Sequence, residues 1–311
     1  MKKAIVTLAI GQAYEAIFEK YCRPLWSLYA EKHGFDLIVI TQHLDNSPRA
    51  KSRNISWQKC LIFSDPRIQK YDRVVWVDSD ILINPNSPDI TLGVPLEKIG
   101  VVDEAATPSK EDLKLYLERF SKHSSFAPET APIGSMETLS PAMKEYLEYA
   151  FNPTAYYNSF GLSGEFESIV QGGVIALSPR YHQELLERVY YAYEDKGPEW
   201  NYEQRPLGYE IQKQQKEFWL SPKFNMTWVI LKALMYPFLD SKSTMSERIL
   251  KKLGRDSRSE LISQCMTATF LNNYFLHYAG GKGSDMQYVN TSGITFRNSL
   301  NQQTKEAVLR S

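Results

Sequence analysis

Two carboxylates at the end of a hydrophobic run are the residues of this chain whose types and spacing most directly suggest chemistry. Val74-Val75-Trp76-Val77 is too short for a helix and rich in β-branched and aromatic residues, so it reads as a buried strand, with Asp78-Ser79-Asp80 following directly. Residues at i and i+2 of an extended chain share a side, which puts Asp78 and Asp80 together with Ser79 facing away. Near a buried strand end such a pair is tolerable chiefly when a cation neutralises it. A hard divalent ion is the simplest candidate, because it keeps positions for water or for substrate phosphates. The same residues also read as a solvated Asp-Ser-Asp turn, with Asn84-Pro85 forming a second turn.

Further candidates lie at other strand ends. Phe275-Leu276-His277-Tyr278-Ala279-Gly280-Gly281-Lys282-Gly283 offers an imidazole for a metal and an ammonium for a phosphate in one tight loop, although a lone histidine is more often structural. A short apolar strand at 99–102 ends in Asp103-Glu104. The strand at 168–178 carries Gly172-Gly173, where backbone or ligand must approach closely, with Gln171 beside that opening. Glu203-Gln204 opens an amphipathic helix, where an acidic residue usually complements the helix dipole. Lys59, on a helix expected over 57–69, reads by default as a solvated surface charge, or else reaches toward a bound phosphate.

The elements that would position these groups begin with a strand at 3–10, a helix over 14–32 closed by His33-Gly34, and a strand at 35–41. This β-α-β order suggests an α/β nucleotide-binding sheet. Ligands of such sheets bind beyond the carboxyl ends of strands, which makes the segment from Ala9 to Tyr14 a candidate nucleotide loop. It carries neither G-x-G-x-x-G nor G-x-x-x-x-G-K, so a phosphate-cradling glycine loop is not the device here. Residues 42–56 read as a loop. The stretch 106–165, with helices expected at 110–121 and 140–150 and aromatic Tyr156, Tyr157 and Phe160, reads either as an insertion shaping an acceptor site or as a helical excursion with core aromatics. Helices are expected over 181–193 and from 203, and a strand with a following loop over 219–225. Residues 228–239 are strongly apolar and precede Arg248, Lys251, Lys252, Arg255 and Arg258. That neighbourhood fits a peripheral membrane contact through 228–258, or a buried helix with a solvated tail. Residues 284–311 read as a tail beyond a single domain at 1–283.

The 311 residues include 36 basic and 36 acidic side chains, which gives no global attraction to nucleic acid or to an anionic surface. Cys22, Cys60 and Cys265 are an odd set without metal-type spacing, as expected of reduced thiols and a cytoplasmic setting. Met1-Lys2-Lys3 and the apolar run after it imitate a signal peptide, but the run reads better as a core strand.

Taken in order, these motifs resemble nucleotide-sugar glycosyltransferases of the GT-A fold, nearest to the retaining glycosyltransferase family 8 group. That group's D-x-D motif is matched by Asp78-Ser79-Asp80, and its late H-x-x-G-x-x-K motif resembles His277 to Lys282, with the lysine one position early. Gln171-Gly172-Gly173-Val174, Glu203-Gln204, Val101-Val102-Asp103 and Thr7-Leu8 with Tyr14 are similar to its remaining motifs. The resemblance implies an α/β GT-A fold with a central mixed sheet flanked by helices. It implies a UDP-sugar donor, Mn²⁺ or Mg²⁺, and a glycan, glycolipid or glycoprotein acceptor with no nucleic acid. It places Asp78, Asp80 and His277 on the metal, Tyr14 near the uracil, Lys282 near a phosphate, and Asp103, Gln171, Glu203 and Gln204 around the donor sugar; Ala9, Lys59 and Gly280 are counted with the residues that bind the nucleotide. An inverting enzyme would instead need a general base, for which Glu165 or Glu167 is available. Two other classes share features: haloacid-dehalogenase-like phosphatases, which also place D-x-D after a strand, and non-catalytic nucleotide-sugar-binding modules.

Overall fold

The computed structural model describes residues 1–115, 152–197, 201–240, 244–279 and 283–292. Its centre is a six-stranded mixed sheet of β1 (Lys3–Leu8), β2 (Phe35–Ile40), β3 (Arg73–Val77), β5 (Ile99–Asp103), β6 (Val170–Leu177) and β7 (Glu217–Trp219). A smaller sheet is formed by β4 (Ile81–Ile83), β8 (Met226–Thr227) and β9 (Phe275–His277). The large sheet runs β2-β1-β3-β6-β5-β7, and the small one β4-β9-β8. Within the large sheet β6 is antiparallel to its two neighbours, β3 and β5, and the other pairings are parallel.

Helices cover both faces, which explains why β1 and β3 are near-continuous apolar runs rather than alternating ones. Alternate residues still divide between the faces. Ile5, Val75 and Val77 pack with Phe18, Trp26 and Phe270, while Ala4, Val6, Val74 and Trp76 pack with Trp57, Phe63, Leu185 and Leu207. The run at the N-terminus is thus a central strand, paired on both sides.

The helix expected over 14–32 is a continuous rod built in three parts: an α-helix Gln12–Ile17, one π-helical turn Phe18–Cys22 and an α-helix Arg23–His33. Gly34 closes it in the left-handed conformation, at φ 70°, a region that favours glycine. The segment expected as a helix over 57–69 is instead a 3₁₀ stretch, Ile55–Ser64. Every side chain from Trp57 to Phe63 is buried there, Lys59 included, so the segment has no solvent face of the kind an amphipathic surface helix presents. The loop over 42–56 contains a short helix, Pro48–Lys51, whose Ser47 cap accepts from the Ala50 N–H.

Two later segments shift by local chemistry. Pro179 starts its helix, Pro179–Ala192, at a first-turn position where a missing N–H costs nothing. The apolar run 228–239 divides into helix Trp228–Met235 and turn Pro237–Asp240, since Pro237 cannot continue the helix. Its Trp228, Ile230, Leu231 and Leu239 are buried, whereas Met235 and Phe238 are exposed, so the stretch joins the core on one side and meets solvent on the other. Tyr156 and Tyr157 are also core residues, with ring centroids 4.9 Å apart in an edge-to-face pair. Residues 110–115 are helical. The expected helix over 140–150, the remainder of the one over 110–121, and the tail from 293 lie outside the described residues.

Candidate metal centre

The carboxyl ends of β1, β3 and β5 and the start of antiparallel β6 meet at one edge of the large sheet, where α/β sheets take their ligands. After β3 the chain makes a pinned turn. The Asp78 N–H donates to the Gly173 carbonyl (2.8 Å), and the Ile81 N–H donates back to the Asp78 carbonyl (3.2 Å). β4 then pairs antiparallel with β9, Ile81 opposite His277, and the Tyr278 N–H donates to the Asp80 carbonyl at 2.9 Å. Strand pairing, not proximity in sequence, thus delivers His277 to Asp80. Ligand atoms of Asp78, Asp80 and His277 lie within 4.8 Å of one another, the one such group among the described residues.

Behind the pair sits a buried cation. Lys59 is 5 % exposed, which corrects its reading as a solvated surface charge. Its ammonium donates to Asp78 Oδ1 (3.2 Å), to the Gly172 carbonyl (3.0 Å) and to Glu203 Oε1 (2.8 Å). Burial by itself would lower the Lys59 pKa, but the carboxylates of Asp78 and Glu203 hold it above its ordinary value. The lysine therefore neutralises protein carboxylates. Asp78 Oδ1 also accepts from Trp76 Nε1 at 2.7 Å. Oδ2 accepts no hydrogen bond among the described residues and is left for a cation.

The two carboxylates are tuned oppositely. Burial pushes the Asp78 carboxyl up, against the pull of Lys59. Burial would raise Asp80 too, but His277 outweighs it and holds Asp80 below the usual carboxylate range. Burial would lower His277, yet Asp80 first and Asp78 second raise it. Its Nε2 lies 3.3 Å from Asp80 Oδ1, on the side where the imidazole would meet a metal ion.

The imidazole's orientation is fixed from the other side. His277 Nδ1 lies 3.0 Å from Asn225 Oδ1, and the Asn225 amide nitrogen donates to Gln171 Oε1. A carboxamide oxygen accepting from Nδ1–H leaves Nε2 as the metal-facing atom, the usual way an outer partner selects a ligand tautomer. Gln171 Oε1 also accepts from the Gly173 N–H (2.8 Å), and Gln171 Nε2 lies 3.3 Å from His277 Nδ1. Glycine is required at 173, because a Cβ there would sit 2.8 Å from His277 Cε1 and 3.1 Å from Asn225 Nδ2. Two carboxylates and an oriented imidazole make a donor set that fits a divalent cation.

Beyond this centre, Gln204 Oε1 accepts from the Gly172 N–H (2.9 Å) and its Nε2 donates to Glu104 Oε2 (2.5 Å), so Gln204 bridges β6 to the end of β5. Glu203 is the cap residue of helix Gln204–Lys213 and is buried, its charge directed to Lys59. Asp103 Oδ1 accepts from the N–H groups of Ala105 (2.9 Å) and Ile169 (3.0 Å). Ala9 is buried, with its N–H donating to the Ile40 carbonyl at 2.9 Å, and Tyr14 is 65 % exposed on the first helix. Glu165 and Glu167 are exposed. Gly280 and Lys282 lie outside the described residues. Sequence reading missed Asn225 and the part played by Glu104. Glu104 was visible as half of an acidic pair, whereas nothing local to Asn225 announces a histidine partner 52 residues on.

No family model matches this sequence, and no curated protein matches it. Among solved structures the chain is similar to a glycosyltransferase involved in glycosylation of the major capsid of PBCV-1, with 16 % identity, 92 % of this chain and 100 % of that one covered, and a TM-score of 0.47. It is similar to the WbbM bifunctional glycosyltransferase at 14 % identity and TM-score 0.47, covering 93 % of this chain and 50 % of that one. It is also similar to the galactosyltransferase LgtC, solved with donor and acceptor sugar analogues, at 11 % identity and TM-score 0.41, covering 89 % of this chain and 87 % of that one.

Proposed function

We propose that this protein is a metal-dependent glycosyltransferase of GT-A type that moves a hexose from a UDP-sugar to a hydroxyl group of a glycan, lipid-linked sugar or protein. The observation that carries the reading is the convergence of Asp78, Asp80 and His277 within 4.8 Å at the carboxyl end of a central strand. Asp78 Oδ2, the Asp80 carboxylate and His277 Nε2 would hold Mn²⁺ or Mg²⁺. When bound, such an ion neutralises the charge that develops on the departing diphosphate.

The rest of the chemistry falls to the chain itself. Lys59 keeps the Asp78 carboxylate from repelling Glu203, so that both acids persist in a buried wall. Asn225 and Gln171 hold the imidazole, and Gln204 fixes the Gly172 backbone beside the donor sugar. Gln171, Glu203, Gln204 and Asp103 form the sugar side of the site in this proposal, with Ala9 and Tyr14 on the nucleoside side and Gly280 and Lys282 near phosphate. Transfer with retention is the course proposed, since Asp103 and Glu203 on the sugar side are already paired; exposed Glu165 or Glu167 would be the base if transfer instead inverts.

Calorimetric titration of UDP with and without Mn²⁺ tests the reading. The expected result is that the wild type binds UDP with strong metal dependence and that Asp80→Ala loses that dependence. Metal-independent or absent UDP binding by the wild type would overturn the proposal and return attention to phosphatase chemistry.

A further inference from the structure

The chain from Met245 onward carries a surface that the catalytic reading does not use. In helix Met245–Lys252 and the residue after it, Met245, Ile249 and Leu253 are 75 %, 53 % and 73 % exposed. At four-residue spacing they fall within about 80° of one another around the helix, forming one apolar stripe. The opposite side faces the protein, where Glu247 approaches Arg258 of helix Ser257–Asn272 at 3.9 Å. Arg258 also donates to the Leu239 carbonyl at 2.7 Å, tying the helix to the turn that follows the 60 % exposed Met235.

By helical spacing Arg248 and Lys252 flank the stripe on one side, whereas Lys251 lies on the far side, one turn from Glu247. Arg248, Lys251, Lys252 and Arg255 are exposed, and Lys251 reaches Asp256 at 3.0 Å. Residues 245–258 hold five basic and two acidic side chains in a chain whose formal net charge is zero. The positive charge is therefore a local feature placed beside exposed apolar groups.

We infer that the outer face of helix Met245–Lys252 docks on an anionic lipid bilayer, with Met245, Ile249 and Leu253 entering the headgroup boundary and the basic residues meeting lipid phosphates. An interfacial helix needs an apolar stripe beside a cationic margin, and both are present here. Charge argues against the competing occupant, a second copy of the chain, since two such faces would bring like charges together. The inference locates membrane contact in this helix; in the apolar stretch before it Trp228, Ile230, Leu231 and Leu239 are buried, while Met235 and Phe238 are exposed. It does not depend on the reaction proposed above.

Sedimentation of the full chain with vesicles tests it, comparing pure phosphatidylcholine with vesicles containing about one-third phosphatidylglycerol. The wild type is expected to pellet with the anionic vesicles only, less so as salt is raised. Combined Met245→Ser, Ile249→Ser and Leu253→Ser should abolish pelleting with an unchanged circular dichroism spectrum. Arg248→Gln with Lys252→Gln, which leaves the apolar stripe intact, should weaken it by about tenfold or more. Equal binding to neutral vesicles, no binding at all, or full binding by the Arg248→Gln, Lys252→Gln variant would overturn the inference. So would a wild-type dimer that the triple serine variant converts to a monomer.

Discussion

Two strands of the same sheet end in acidic pairs, and their fates differ. At the end of β3, Asp78 and Asp80 keep oxygens turned toward each other and toward His277. At the end of β5, Asp103 folds back onto the N–H groups of Ala105 and Ile169, and Glu104 accepts from Gln204. Both sequences read alike: an apolar strand, then carboxylates. What separates them is what the partner strands bring. β9 presents an imidazole to the first pair, whereas among the described residues the second meets only backbone donors and an amide, which satisfy carboxylates without assembling a cation site. A strand-end acidic pair is thus an opportunity that pairing elsewhere in the chain either completes or closes.

The largest effect expected in breaking this contrast comes from the buried cation behind the first pair. Lys59→Met would leave Glu203 and Asp78 without their shared counter-charge, at side-chain exposures of 4 % and 28 %. Truncating one partner of a buried ion pair costs about 3–5 kcal/mol, and the denaturant midpoint in guanidinium should fall accordingly. Adding Glu203→Gln to that variant should recover part of the loss, because the most deeply buried uncompensated charge is gone. A Lys59→Met midpoint within error of the wild type would mean that water reaches the ammonium site.

Asp103→Ala is the matching test at the second pair. It removes an acceptor that caps two backbone N–H groups, so stability should fall by about 1 kcal/mol. Mn²⁺ binding, measured on the same protein by calorimetry, should be unaffected. A loss of metal affinity comparable to that of Asp80→Ala would erase the distinction between the two strand ends.

Much of this architecture is legible in residues alone, for identifiable reasons. Continuous apolar runs bounded by Gly, Pro and Asp reveal β1, β3 and β6, because burial on both faces leaves no choice of residue type. The D-x-D pair and His277 stand out because carboxylates and an imidazole end otherwise apolar strands, although Asp103-Glu104 shows that this pattern alone does not make a cation site. The sequence misleads where one residue has a long-range partner. Lys59 resembles any surface lysine until Glu203 is placed beside it, 144 positions later. Asn225 follows an ordinary Ser-Pro turn, and its task exists only because β8 pairs with β9. Helix boundaries failed where burial removed amphipathic period, as in the 3₁₀ stretch Ile55–Ser64.

The smallest effect, and the one that sharpens the comparison most finely, concerns Glu104. Burial chiefly raises its pKa, while the hydrogen bond from Gln204 opposes that shift. A carboxyl whose folded pKa lies above its unfolded value near 4.5 stabilises the fold fully at pH below that value. The contribution is lost as pH climbs through the raised folded pKa, because folding then requires burying a charge. Glu104→Gln keeps an oxygen for the Gln204 amide but removes the titration. The variant and the wild type should therefore have similar melting temperatures at pH 4, and the variant should become the more stable of the two as pH approaches 7. If the difference runs the other way, the Glu104 carboxylate is favoured in its ionised form, and the end of β5 would have to be reconsidered as a second cation-binding edge.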